Sequence, residues 1–151
     1  MLMDRLILTV HLLGVMIWVG AFSTVGALGR QALGEAEAPA RRALWRAAKR
    51  TNAFALVGLA LGVAGGLTTF LRFLGAAHYL QQPWMHAKLT AVVVFLALHV
   101  AVTLRMRRDA AAAEGAAGGS KGLYVLANAL GGPLAFAIVF FVLVKPWERL
   151  F

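Results

Sequence analysis

The chain has no cysteine, which excludes disulfides, thiolate-held metals and iron-sulfur clusters and leaves His, Met or oxygen to hold any metal. Acidic residues are scarce too: six Asp and Glu stand against 15 Lys and Arg among 151 residues. None of the six falls within the apolar blocks described next, so no carboxylate is at hand there to accept a proton. The sequence also lacks a polar stretch long enough for a separate soluble domain, and it shows no internal repeat.

What remains is apolar. Hydrophobic residues make up 61% of the chain and its mean hydropathy is +0.77. They gather into four blocks, about 6–29, 53–73, 84–104 and 123–144, each near the roughly 20 residues that an α-helix needs to cross a bilayer. The expectation is an all-α integral membrane protein, a single four-helix transmembrane bundle spanning residues 1–151. The first block outlasts a signal-peptide core, follows Asp4 and Arg5, and has no small-x-small cleavage site before Arg30, so it reads as a permanent helix.

Charge orients the bundle. Arg30, Arg41, Arg42, Arg46, Lys49 and Arg50 fill the connection 30–52, and Arg105, Arg107, Arg108 and Lys121 the connection 105–122. Arg5, Arg72, Lys88, Lys145 and Arg149 lie on the other side. The positive-inside rule then makes the two basic connections cytoplasmic and places the N-terminus and C-terminus outside, as in a multi-pass protein of a bacterial inner membrane. The basic loops have no interleaved aromatic residues, so the net charge of +9 points to membrane lipids and not to nucleic acid. Pro39 opens a helix that runs through Asn52 into the second block, with Arg41, Arg42, Arg46, Lys49 and Arg50 on one half of it. That stem suits anionic headgroups. The Ala/Gly-rich stretch from Asp109 to Gly122 reads as a flexible linker without chemistry.

Polar residues inside the blocks sort by depth. His11 lies roughly 8 Å into the first helix, and His86, two residues after Trp84, sits at the same outer side of the third. Lys88 and Lys145 join that layer, either as functional cations or as snorkelling ones. His99 lies roughly 20 Å deeper than His86, and Asn128 roughly 25 Å deeper than Lys145, so these two belong to a second layer. Thirteen steps of about 100° turn His99 some 220° from His86, whereas Lys88 and His99 lie within about 20° of one another. His86 and His99 therefore cannot both face one helix seam. Trp18 is either a packing residue or a ring stacked on a cofactor, and His78 reads as a solvated loop histidine. Gly58, Gly62, Gly65 and Gly66 either make room for a flat ring or let two helices approach, and the small-xxx-small spacing favours approach.

Two neutral imidazoles from different helices at one depth can hold a haem iron axially, with apolar walls around the macrocycle. His11 and His86 are the candidate metal ligands, and Lys88 and Lys145 the candidate partners of the propionates. Here the chain resembles the HemJ-type protoporphyrinogen IX oxidases, small four-helix membrane proteins distantly similar to the CopD membrane domain. The likeness spans most of the sequence. It rests on His11 to Trp18 in the first helix, a glycine-rich second helix, Trp84-x-His86-x-Lys88-Leu89 with His99 in the third, and Val144-Lys145-Pro146-Trp147 at the end of the fourth.

That resemblance implies haem b, a tetrapyrrole substrate oxidised from protoporphyrinogen IX to protoporphyrin IX, and a quinone or respiratory-chain electron acceptor. It assigns catalytic roles to His86, Lys88 and His99, and cofactor contacts to His11, Trp18, His86, Lys88, Asn128 and Lys145. The family's arginine upstream of an Asn-Glu-x-Pro pattern is missing, since Asn128 is followed by Ala129, Leu130 and Gly131. Two other readings therefore stand beside the oxidase: a haem-binding electron-transfer or haem-handling protein without that activity, and a CopD-like copper-handling protein using Met1, Met3, His11, Met85 and His86. Small-residue faces also suit a homodimer.

Overall fold

In lipid, helices gain little from burying apolar surface against one another, so close backbone approach and a few polar contacts must hold them together. The computed structural model, which describes residues 2–73, 80–112 and 120–143, shows where the approach is closest. Four long helices are present: α1 Leu2–Ala32, α2 Ala38–Phe73, α3 Pro83–Ala112 and α4 Gly122–Leu143. The first three are each long and apolar enough to cross a membrane, and α4 is apolar throughout. No strand occurs among the described residues.

α1 is the hub. Its buried residues Val15, Trp18, Phe22, Val25, Gly29 and Ala32 recur at alternating spacings of three and four, the stripe that packs helices at shallow angles. α2 presents Trp45, Ala48, Asn52, Ala55, Gly58, Gly62 and Gly65 in a similar stripe, and α3 presents Phe95, His99, Val102 and Met106. α1 packs most extensively on α2 and next on α4; α4 also packs on α3, while α3 touches α2 and α1 lightly. Outside these seams the helices expose Leu13, Met16, Phe54, Val57, Leu67, Val93 and Phe136, an apolar exterior of the kind lipid tails require.

Glycines set the α1–α2 distance. A Cβ on Gly14 would collide with Gly62 N, and would come within 2.8 Å of Leu61 C and 2.9 Å of Gly58 O. On Gly58 it would come within 2.5 Å of Trp18 N. These neighbours are backbone atoms, which cannot swing aside. On the α4 side, Gly29 receives the flat face of Tyr124, whose ring carbons would lie 2.5 Å from an added Cβ.

The turn between α1 and α2 is closed by polar contacts. Arg41 Nη1 donates to Glu35 O at 3.1 Å and Ala36 O at 3.4 Å, and Glu37 N–H donates to Glu35 Oε1 at 2.9 Å. α2 then runs unbroken from Ala38, so the basic stem and the second apolar block form one rod. At the far end of α3 the structure departs from the sequence reading. Asp109 through Ala112 are helical, and Asp109 is no linker residue: it takes Arg105 Nε at 2.9 Å and the Tyr124 hydroxyl at 2.9 Å. Helical spacing places Arg105 and Asp109 one turn apart, which extends α3 past the apolar block.

The glycine seam yields a paired test. Gly14→Ala should destabilise the bundle by about 1–3 kcal/mol, the usual cost of overpacking, seen as a lower melting temperature in detergent. Gly20→Ala, whose Cβ would meet nothing within 4 Å, should leave that temperature unchanged or raise it.

Candidate functional site

The Trp84-x-His86-x-Lys88 spacing decides which of its members face inward. Four helical residues turn the chain by about 400°, so Trp84 and Lys88 share a face, while His86 stands nearly opposite. Trp84 is accordingly buried, Lys88 half-buried and His86 exposed. His99 continues the Trp84–Lys88 stripe eleven residues after Lys88 and fifteen after Trp84, and it is only 2% exposed.

His11 sits where α1 crosses the glycine-rich part of α2. Its Nδ1 lies 2.6 Å from Gly62 O. A carbonyl only accepts, so in the neutral ring Nδ1 carries the proton and Nε2 keeps its lone pair. The ring lies over Gly66, where a Cβ would stand 2.8 Å from Cε1 and 3.0 Å from Nδ1, and a Cβ on Gly65 would stand 2.9 Å from His11 Cα. Gly65 and Gly66 therefore make room for an imidazole, while Gly58 and Gly62 allow the helices to approach. Lys88 is half-buried on α3. Helices α1 and α2 thus bring together one imidazole and one carbonyl.

His99 is held in the opposite sense. The indole N–H of Trp18 donates to its Nδ1 at 2.6 Å, so in the neutral ring the proton is on Nε2. No partner for that Nε2 lies within reach among the described residues, although the atom is buried. Aromatic rings enclose it. Phe22 stacks on the imidazole with centroids 5.3 Å apart, and Phe95 packs on Trp18 at 4.6 Å and edge-on to Phe22 at 5.0 Å. Trp18 is therefore both a packing residue and a hydrogen-bond donor, joining α1 to α3.

Of the other site residues, Asn128 is exposed on α4 and is not brought to His99. Lys145 and His78, with Val144, Pro146, Trp147 and Met1, lie outside the described residues. No group of three or more His, Cys, Asp or Glu side chains capable of holding a metal occurs among the described residues.

Comparison with protein-family models, curated proteins and solved structures gives no match. The local chemistry must carry the functional reading.

Two polar contacts have no counterpart in the sequence reading. Thr103 Oγ1 donates to Asn52 Oδ1 at 3.1 Å, joining α3 to α2, and Asn52 is buried. Tyr124, fully buried, touches Gly29 of α1, packs at a tilt against Trp45 of α2 with centroids 6.0 Å apart, and donates to Asp109 of α3. The Arg105–Asp109 spacing was the one sequence signal for this cluster, while nothing singled out Tyr124.

The two histidines should be distinguishable in solution. Nitrogen NMR of isotope-labelled histidine in detergent or nanodiscs should show His11 as the Nδ1–H tautomer and His99 as the Nε2–H tautomer. Trp18→Phe should release His99 from that tautomer and cost about 1–3 kcal/mol, because it leaves a buried acceptor unpaired. Matching tautomers in the wild-type protein would refute the geometry.

Proposed function

We propose that the chain is a haem b-binding membrane oxidoreductase of the protoporphyrinogen oxidase kind, acting in a bacterial cytoplasmic membrane with its basic connections inside. It would remove six electrons and six protons from protoporphyrinogen IX and pass the electrons to a membrane acceptor such as a quinone. The observation that carries this reading is the His11 contact with Gly62 O. A histidine that ligates a metal through one nitrogen usually donates its other N–H to a carbonyl or carboxylate, which fixes the ring and raises its basicity.

His11 would offer Nε2 to the iron of a haem, and Lys88, half-buried on α3, would offer a cation to a tetrapyrrole carboxylate. His86 stands on the exposed side of α3, opposite Trp84 and Lys88. A bound haem would supply one-electron exchange at the iron. The chain's own part is then to orient: Gly65 and Gly66 accommodate the His11 ring, His11 holds its tautomer through Gly62 O, and Lys88 would meet the acidic edge of the tetrapyrrole.

A second reading, haem binding without oxidase activity, is favoured by the carboxylates. The four apolar blocks contain none, and Asp109, at the far end of α3, is already engaged by Arg105 and Tyr124. Proton removal from the substrate would then fall to histidine or to a propionate.

Absorbance spectra and complementation separate these readings. Protein expressed with haem supply should show a Soret band and, on reduction with dithionite, a split α/β pair. His11→Ala should lose the Soret band, while His99→Phe should keep it. An unchanged spectrum in His11→Ala would remove the ligand assignment, and a colourless protein retaining copper would replace haem by the CopD-like reading. Rescue of a strain lacking protoporphyrinogen oxidase would support the oxidase; a well-inserted haem protein that fails to rescue it would leave haem binding alone.

A further inference from the structure

The light contact between α2 and α3 leaves a groove at the basic end of the bundle. One part, about 360 Å³, is lined by Lys49, Asn52, Ala53, Leu56, Met106 and Arg107. A second part, about 210 Å³, shares Lys49 and reaches Arg42, Trp45, Arg46 and Ala110. Among the wall residues on α2, Arg42, Arg46, Lys49, Ala53 and Leu56 are spaced four, three, four and three, so they form one line along the helix, with Trp45 and Asn52 beside it. That line is cationic for its first three members and apolar for the last two. α3 runs beside it with Arg107 next to Met106.

We propose that this groove binds a single anionic phospholipid, with its phosphate among Arg42, Arg46, Lys49 and Arg107 and its acyl chains on Ala53, Leu56 and Met106. Four cations line or flank the groove, and among the described residues none of them forms an ion pair with a carboxylate. A phosphate would supply the missing charge. The change from charged to apolar walls is what selects a lipid over a soluble anion. From Arg42 to Leu56 the line spans about 21 Å at 1.5 Å per residue, close to half of a bilayer of about 40–45 Å including headgroups. One leaflet of lipid matches it in both length and polarity. Asn52 stands at the junction: Thr103 occupies its Oδ1, which leaves its amide N–H groups as donors at phosphate depth.

Native mass spectrometry of the full chain in detergent, titrated with phosphatidylglycerol or phosphatidylcholine, tests this site. The wild-type protein should retain one phosphatidylglycerol and hold phosphatidylcholine at least about tenfold more weakly. Lys49→Gln with Arg107→Gln should weaken phosphatidylglycerol about tenfold or more, given the contribution of each cation near a lipid surface. Arg50→Gln with Arg108→Gln removes the same charge outside the groove and should change binding less than about twofold. Ala53→Trp, which blocks the apolar half, should weaken binding while keeping every cation, and it provides the test if the charge variant loses its helical circular dichroism. Equal losses in the two charge variants, equal retention of both lipids, an unaffected Ala53→Trp, or displacement of the lipid by millimolar inorganic phosphate would each overturn the proposal.

Discussion

The backbone contact of α1 with α2 at Gly14, Gly58 and Gly62 fixes the geometry of everything around it. With no Cβ on these residues, the two helices come close enough that His11, about one turn before Gly14, reaches the Gly62 carbonyl. A larger residue at Gly14 or Gly58 would push α1 away from α2 and strain the approach that gives the imidazole its carbonyl. The same closeness explains the spacing on the other side of α1. α3 does not approach its backbone; it is held at the distance of two aromatic side chains, with Trp18 and Phe22 reaching across to Phe95 and His99.

Each polar contact between the helices joins a different pair. His11 to Gly62 joins α1 to α2, Trp18 to His99 joins α1 to α3, Thr103 to Asn52 joins α3 to α2, and Tyr124 to Asp109 joins α4 to α3. Such contacts average only about 0.6 kcal/mol in membrane proteins, so they contribute less to total stability than to register. A helix free to slide or rotate in lipid loses little packing, because apolar faces are interchangeable there. It does lose these directional bonds, which are satisfied only at one depth and one rotation.

Much of this was legible in the sequence, and the part that was not has a common cause. Block length and hydropathy placed all four helices, and Pro39 marked the start of the α2 stem. Helical angles separated His86 from His99 and put Lys88 with His99, as the exposed and buried positions on α3 show. Depth alone grouped His11 with His86, yet depth is silent on rotation, and the two-residue step from Lys88 turns His86 away from the seam where His11 lies. Asp109 was hidden by the Ala/Gly-rich composition around it, although its i,i+4 relation to Arg105 was visible. Asn52 and Tyr124 gave no pattern, because their partners come from other helices at long sequence separation.

The two inward-facing histidines are chemically opposite, and that polarity follows from their partners. A carbonyl beside His11 Nδ1 leaves a lone pair on Nε2; an indole N–H beside His99 Nδ1 leaves a proton on Nε2. Of the two, His11 therefore keeps a lone pair on Nε2 and His99 an N–H. They are separated along α1 by the step from His11 to Trp18, about 10 Å at 1.5 Å per residue. A metal ion would meet a lone pair only at the first position, and a carbonyl or other acceptor would meet an N–H only at the second. Exchanging the roles would require replacing Gly62 O or Trp18, neither of which can rotate to present the other polarity. The chemistry open to this bundle is thus ordered along its axis by two residues, Gly62 and Trp18, each on a different helix from the histidine it engages.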